Sequence, residues 1–198
     1  MHISDGVLSG EVSGVSAAAA LVILAVILRK VKHDDIPKIA VMTAAFFAAS
    51  LIHIRIGPVG FHLVLNGLTG VVLGLSAFPA IVTALIFQSV LFQHGGITAL
   101  GANSLAMGVP AFTAWLIFKS GKRFSNPGRV LPVFAFLAGG SAILLSALAV
   151  ALMLIISGSE FLTTARIVFA AHIPLAVIEG VITAFIAGFL IKVKPDMI

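Results

Sequence analysis

The 198-residue chain contains no cysteine and no tyrosine, and only 10% of its residues are charged. Without cysteine, the chain cannot form a disulfide framework. Soluble domains carry roughly 25% charged residues, so this chain lacks the charge that would cover a surface in water. The same composition excludes intrinsic disorder and a nucleic-acid-binding domain.

Several motifs of enzymes are also missing. The sequence has no GxxxxGK[ST] phosphate loop, so ATP hydrolysis would have to come from another protein. It has neither HExxH nor clustered HxxxH pairs, which an intramembrane metalloenzyme would need, and no GxSxG turn of a serine hydrolase. We therefore expect a protein that is not an enzyme and that uses no organic cofactor.

Hydrophobic residues make up 60% of the chain, and the mean hydropathy is +1.21. A helix needs ~20 apolar residues to cross a bilayer. The pattern predicts an all-α, polytopic membrane helical bundle with about seven transmembrane helices. We expect residues 1–198 to form a single integral membrane domain, in which residues 1–10 are an N-terminal segment that precedes the bundle. The predicted spans cover residues 12–28, 39–54, 62–76, 80–92, 104–118, 131–156 and 167–191.

The basic residues predict the orientation of this bundle. The N-terminus has no basic stretch before its apolar run, so it does not resemble a signal peptide. Cytoplasmic segments of membrane proteins are enriched in lysine and arginine. With the N-terminus outside and the C-terminus inside, the inner segments hold ten of the twelve basic residues: Arg29, Lys30, Lys32, Lys38, Lys119, Lys122, Arg123, Arg129, Lys192 and Lys194.

Five of the six histidines fall at the opposite, outer end of the predicted bundle: His2, His53, His62, His94 and His172. Each alone could be an ordinary hydrogen-bonded interfacial histidine. Together, the imidazoles indicate a site for a borderline transition metal.

The second position of the chain gives this site a possible geometry. A chain that begins Met1-His2 can offer a metal three nitrogens, namely the terminal amine, the amide of His2 and its imidazole Nδ1. Such a planar nitrogen set suits Ni(II), Cu(II) or low-spin Co(II), whereas zinc prefers a tetrahedron. His62, at the outer end of the third span, could supply the fourth nitrogen. The alternative is that His2 is an ordinary residue at a frayed terminus.

Other polar residues could line the same site, and each has a structural alternative. Asp5 either caps the first helix or accepts a hydrogen bond from the His2 ring. Asn66 could face the metal one turn below His62, but an interhelical hydrogen bond is the more common role.

The glycine-rich stretch after the fourth span predicts a hairpin-like loop. In this loop, Gln93, His94 and Asn103 either line the site or stabilise the loop itself. In the last span, His172 and Glu179 are seven residues apart and share a helix face. Glu179 is the only acidic residue deep in a span, which makes it either a functional group or a protonated structural one.

Three motifs in order, MHISDG, GPVGFHLVLNGLTGVVLG and QHGGITALGANSLAMG, resemble the CbiM/NikM family. Its members are the substrate-binding S components of energy-coupling factor transporters, a class of ABC transporters. The resemblance implies that Co(II) or Ni(II) is the transported substrate, held in a plane by Met1, by two nitrogens of His2 and by His62. It also implies supply of the metal to cobalamin biosynthesis or to nickel enzymes.

The resemblance further implies partners in the cytoplasmic (inner) membrane: a membrane coupling (T) subunit, two ABC ATPase subunits and the lipid bilayer. Some relatives carry a small two-span N component at the C-terminus, and we expect that component, if used, to be a separate chain. The alternative function is a secondary membrane transporter for another solute.

Overall fold

The computed structural model describes residues 2–56, 59–124 and 127–198. These residues form a helical bundle, as predicted. Its α-helices are α1 (Gly10–Leu28), α2 (Ile36–Ala49), α3 (Asn66–Leu73), α4 (Ala77–Phe92), α5 (Leu100–Gly121), α6 (Pro127–Ser157) and α7 (Leu162–Val193).

The first helix begins where the sequence offers a cap. The Ser9 hydroxyl accepts a hydrogen bond from the backbone N–H of Val12 at 3.3 Å, which satisfies one of the otherwise unpaired donors at a helix start. Ser9, and not Asp5, therefore caps α1. The helix ends at Leu28, immediately before the basic run that begins with Arg29.

Five segments of the described chain are long and apolar enough to cross a membrane: Gly10–Leu28, Asn66–Phe92, Leu100–Gly121, Val130–Ser157 and Ser159–Val193. They make the chain a multi-pass membrane protein. Helix α2, with 14 residues, is shorter than a full span. The total of seven crossings and the side on which the N-terminus lies stay predictions.

The segment Asn66–Phe92 is not one straight helix, because the chain reverses at Gly74. Going along α3, Gly70 lies against Ala111 and Gly74 against Trp115, so α3 runs parallel to α5. After the reversal, Phe78 of α4 lies against Gly108, about two turns back along α5 from Trp115. The φ of Gly74 is +58° and a Cβ there would meet the Trp115 Nε1 at 3.0 Å, so the turn requires glycine.

A short antiparallel hairpin, which was not predicted from the sequence, follows α2. Its strands are β1 (His53–Ile56) and β2 (Val59–His62), in a register that pairs His53 with His62. The second span was predicted to continue to residue 54, but α2 ends at Ala49. Ile54 and Ile56 alternate with polar residues before a Gly-Pro pair, and Val59 and Phe61 alternate with Gly60 and His62 after it, a pattern that favours a hairpin over a helix.

The glycine-rich stretch also differs from its prediction. Within this stretch, only residues 93–99 lie outside helices. Helix α5 begins at Leu100, four residues before the predicted span. Asn103 and the residues that follow it therefore belong to helix α5 and not to a loop.

Glycines allow the two longest helices, α6 and α7, to pack closely as an antiparallel pair. A Cβ at Gly139 would come within 2.8 Å of the Glu179 backbone oxygen, and one at Gly180 within 2.9 Å of the Phe136 ring. Small residues at such contacts let helices approach where lipid offers no hydrophobic drive.

The bundle has two chemically distinct ends. Lys30, Lys38, Lys119 and Lys122 line one cavity, and we call this the basic end. The rings of His2, His62 and His94 lie together at the other, which we call the histidine end. Two basic segments that are far apart in the sequence, around Lys30 and around Lys119, thus meet at one end.

Candidate metal centre

The N-terminal segment folds back onto the histidine end, where the side chain of Asn103 holds it. The Asn103 Oδ1 accepts the N–H of Ile3 at 2.9 Å, and its Nδ2 donates to the Ile3 carbonyl at 3.0 Å and to the Gly95 carbonyl at 3.1 Å. Asn103 is only 1% exposed. The buried Ile3 side chain packs with Ala99, Ala102 and Ala106. Residue 3 is therefore fixed, and this restricts the position of its neighbour His2.

The His2 ring is held by a chain of hydrogen bonds that reaches α2. Its Nε2 lies 2.8 Å from the Gln88 Oε1, the Gln88 Nε2 donates to the Ser50 Oγ at 2.9 Å, and the Ser50 hydroxyl donates to the Phe47 carbonyl at 2.6 Å. A carbonyl oxygen can only accept, so Ser50 donates to Phe47 and accepts from the Gln88 amide nitrogen. The Gln88 oxygen is then left to accept from the His2 ring. His2 consequently carries its proton on Nε2, and its Nδ1 presents a lone pair.

Burial, above all, lowers the pKa of His2 well below the usual 6.5. The neighbouring imidazoles of His62 and His94 lower it further, since a charged ring would be repelled by charge on the others. His2 is thus neutral at neutral pH, the form in which histidine binds metals.

His62 and His94 complete a group of three rings. The centroids of the His2 and His62 rings are 4.9 Å apart with their planes 26° from parallel, and His94 lies 6.1 Å from His2. The His62 Nδ1 is 3.0 Å from the Leu63 carbonyl, so this nitrogen bears the proton and Nε2 presents a lone pair. A metal ion with bonds to nitrogen of about 2 Å can be reached from both the His2 and His62 rings at this separation.

Within residues 2–56, 59–124 and 127–198, no three His, Cys, Asp or Glu side chains are arranged to hold a metal by themselves. The predicted planar set takes two of its four nitrogens from the backbone. One of these belongs to Met1, which lies outside the described residues. The side chain of His53 also lies outside them, although β1 places its backbone opposite His62.

Asp5 ties the N-terminal segment to the loop 93–99. Its Oδ1 accepts from the backbone N–H and the hydroxyl of Thr98, at 2.8 and 2.6 Å. These hydrogen bonds lower the pKa of Asp5. A Cβ at Gly96, whose φ is +60°, would overlap the Asp5 carboxylate, so the contact depends on glycine. Asp5 thus does not cap α1, and a hydrogen bond from a metal-bound His2 ring to its carboxylate stays a prediction.

The loop residues Gln93 and His94 serve in different ways. Gln93 adopts a left-handed conformation (φ +56°) at the end of α4, where the backbone reverses. The backbone N–H of His94 then donates to the Gln88 carbonyl at 3.1 Å. This turn brings the His94 ring towards His2, whereas Gln93 acts through its backbone.

Two other candidates, Asn66 and His172, have structural partners within the bundle. Asn66 donates to the Met107 carbonyl at 3.2 Å and to the Ser146 Oγ at 2.8 Å, which confirms the interhelical alternative. His172 has its Nδ1 2.6 Å from the Val168 carbonyl of its own helix.

Glu179 contacts the segment that carries His62. Its carboxylate accepts from the N–H of Val64 at 2.5 Å and from that of Leu65 at 3.1 Å. Leu65 has a φ of +57°, which is costly for a residue with a side chain, and Glu179 is 1% exposed. The carboxylate therefore stabilises a strained turn that begins two residues after His62.

Gln88 and Ser50 are the residues that sequence reasoning missed. Gln88 is fully buried and is a polar residue within an apolar helix. A polar residue at membrane depth is costly and is a candidate for function on that ground alone. This signal was available in the sequence, but it does not indicate which histidine Gln88 contacts.

The chain is similar to known proteins in both sequence and structure. Residues 2–197 match the family CbiM, described as "Cobalt uptake substrate-specific transmembrane region". A protein of Haemophilus influenzae named "Putative metal transport protein" is 31% identical over all of this chain and 96% of its own length. The "Putative fused nickel transport protein NikMN" of Archaeoglobus fulgidus is 30% identical over all of this chain and 68% of its own length. A crystal structure of a transition metal transporter superposes with a TM-score of 0.86 at 27% identity, covering 98% of this chain and 94% of that chain.

Proposed function

The chain belongs to the CbiM family, and from this premise we propose that it is the metal-capturing S component of an energy-coupling factor transporter for Co(II) or Ni(II). The observation that carries the proposal is the His2 ring. Its Nε2 is bonded to Gln88, and its ring lies 4.9 Å from that of His62. The two rings therefore lie close enough for one ion to bind both imidazoles.

In the proposed site, four nitrogens surround the metal in a plane. They are the Met1 amine, the His2 amide, the His2 Nδ1 and the His62 Nε2. Planar coordination by nitrogen favours Ni(II) over Co(II) in the usual order of affinity. Metal availability and the partner subunits can reverse that order, so the proposal includes both metals.

Capture of the metal begins at the histidine end, which the proposed orientation turns to the outside. The hydrated ion loses its water ligands to the four nitrogens, and the His2 amide releases its proton to water. Asp5 and Thr98 hold the loop 93–99 beside the site. Reprotonation of the amide would remove one ligand and assist release on the inner side.

The proposed setting is the cytoplasmic membrane, where this chain forms a single domain that works with other subunits. A membrane coupling subunit and two ABC ATPases would supply the energy, because the sequence has no phosphate loop. The relative named as a fused nickel transport protein NikMN is matched over 68% of its length, which supports a small N component as a further partner in this system. Transported metal would serve cobalamin biosynthesis or nickel enzymes.

The decisive experiment adds one residue before Met1. If the terminal amine is a ligand, the extended protein loses metal affinity by more than about 100-fold, which exceeds the effect of removing an outer hydrogen-bond partner. The affinity is measured by competition with a chelator, and the metal content by elemental analysis. The same residue added at the other terminus is the control.

The same experiment tests the alternative function. A secondary transporter for another solute would use a cavity within the bundle, and a longer N-terminus would leave its substrate binding unchanged. Unaltered metal binding by the extended protein would therefore contradict the proposed site and favour that alternative.

A further inference from the structure

A cavity of about 450 Å³ opens at the basic end of the bundle. The end of α1, the start of α2, the reversal at Gly74, the last turns of α5 and the C-terminal residues surround it. Its lining includes Ile27, Lys30, Lys38, Val72, Trp115, Lys119, Lys122 and Asp196. The histidine end is at the other end of the bundle, so this cavity is distinct from the candidate metal centre.

The charge of the lining is strongly positive. Four ammonium groups, from Lys30, Lys38, Lys119 and Lys122, line the cavity together with one acidic side chain, that of Asp196, and the C-terminal residue Ile198. Ammonium groups grouped beside a low-dielectric bundle repel one another, and a bound anion relieves that repulsion. The cavity therefore favours a ligand with negative charge.

Aromatic rings hold two of these ammonium groups in place. The Lys119 Nζ lies 4.7 Å from the centre of the Trp115 ring, and the Lys122 Nζ lies 5.6 Å from the centre of the Phe118 ring. In each pair the lysine follows the aromatic residue by four positions, one helical turn, and Lys122 is the residue directly after the end of α5. The cations are thus ordered beforehand, which lowers the entropy cost of binding an anion.

The lining of the cavity also contains apolar residues. Ile27, Val71, Val72, Leu73 and Phe118 are among them. A small inorganic anion would gain nothing from these apolar side chains, whereas an amphiphile could place its charged group on the lysines and its chain along the apolar residues. Basic pockets between transmembrane helices are known to bind anionic lipid headgroups.

We propose that this cavity binds the phosphate headgroup of an anionic phospholipid. The site is independent of the bound metal and lies at the end of the bundle that the positive charge assigns to the cytoplasmic leaflet. A bound lipid would neutralise the lysines and fix α1, α2 and α5 relative to one another.

Trp115 provides a direct probe, because it is the only tryptophan and the chain has no tyrosine. Phosphatidylglycerol brominated on its acyl chain is titrated into the full-length protein in detergent, and the quenching of Trp115 fluorescence is measured. Brominated phosphatidylcholine and inorganic phosphate are the comparison ligands. The test variant is Lys38→Gln with Lys122→Gln, and the matched control is Lys32→Gln with Lys192→Gln, which removes the same charge from exposed positions outside the cavity.

We expect phosphatidylglycerol to quench the wild type and the control pair with equal affinity. At about 1 kcal/mol for each lysine, the affinity of the test pair should fall about 30-fold. Because Lys122 is exposed, Lys122→Gln alone should fold normally and should lose about fivefold.

Three results would overturn the proposal: equal quenching by phosphatidylcholine, an unchanged affinity in both lysine variants, or displacement of the lipid by an equimolar amount of inorganic phosphate.

Discussion

Replacing Gln88 by leucine tests the part of the candidate site that only the folded structure reveals. Gln88 is fully buried, and its Oε1 is 2.8 Å from the His2 Nε2. Leucine has a similar volume but cannot accept a hydrogen bond. The His2 N–H would then be buried without a partner, and the tautomer with its lone pair on Nδ1 would no longer be favoured.

The expected size of this effect follows from the role of such partners. Removing the hydrogen-bond acceptor of a metal-binding histidine typically lowers metal affinity 10- to 100-fold, which corresponds to about 1.4–2.7 kcal/mol. We expect Gln88→Leu to weaken the binding of Ni(II) and Co(II) within this range. Ser50→Ala, which removes the next link in the chain and leaves the Gln88 oxygen in place, should have a smaller effect.

The assay is a competition titration of purified protein against a chelator, with circular dichroism to verify that the helices are intact. Gln88→Glu is the informative partner variant, because its carboxylate oxygen can still accept the His2 proton. We expect Gln88→Glu to bind metal much more tightly than Gln88→Leu. Wild-type affinity in Gln88→Leu, or equal losses in both variants, would refute the tautomer argument.

Two further substitutions test the His62 side of the site. We expect His62→Ala to lower metal affinity by more than about 100-fold in the same titration, since a ligand is lost and not only its support; His33→Ala, an exposed histidine outside this group, should bind normally. Glu179→Gln retains the shape of the side chain but replaces one of the two oxygens beside the Val64 and Leu65 N–H groups by an amide nitrogen, which cannot accept, and a buried polar group left unpaired costs about 1–3 kcal/mol. That variant should show lower thermal stability and weaker metal binding, and the reasoning fails if both stay at wild-type values.

The positions of the helices were largely predictable from the sequence, and the exceptions have local causes. The first, sixth and seventh predicted spans correspond to α1, α6 and α7. The second span was predicted too long, because the isoleucines after Ala49 are as apolar in a strand as in a helix. The start of α5 was placed too late, because glycine is rare in soluble helices but common in membrane ones.

Within the candidate site, the grouping of the histidines was predictable from the sequence, whereas the role of Asp5 was not. That His2, His62 and His94 would lie at one end of the bundle followed from their positions relative to the spans, and the structure brings their rings together. The role of Asp5 did not follow. Its partner Thr98 lies in a loop 93 residues away in the chain, and no short-range pattern connects the two.

The membrane nature of this chain, the approximate extent of its helices and the grouping of its basic residues at one end depend on composition and on the length of apolar runs. These are local properties, so the amino-acid sequence by itself determines them. The contacts between Gln88 and His2, and between Glu179 and Val64, join residues 86 and 115 positions apart. Each contact joins a helical residue to a segment outside the helices, so it depends on the axial register of α4 or α7 in the bundle, and a shift of one residue along the helix, about 1.5 Å and 100° of rotation, would break it. Only the tertiary structure decides that register.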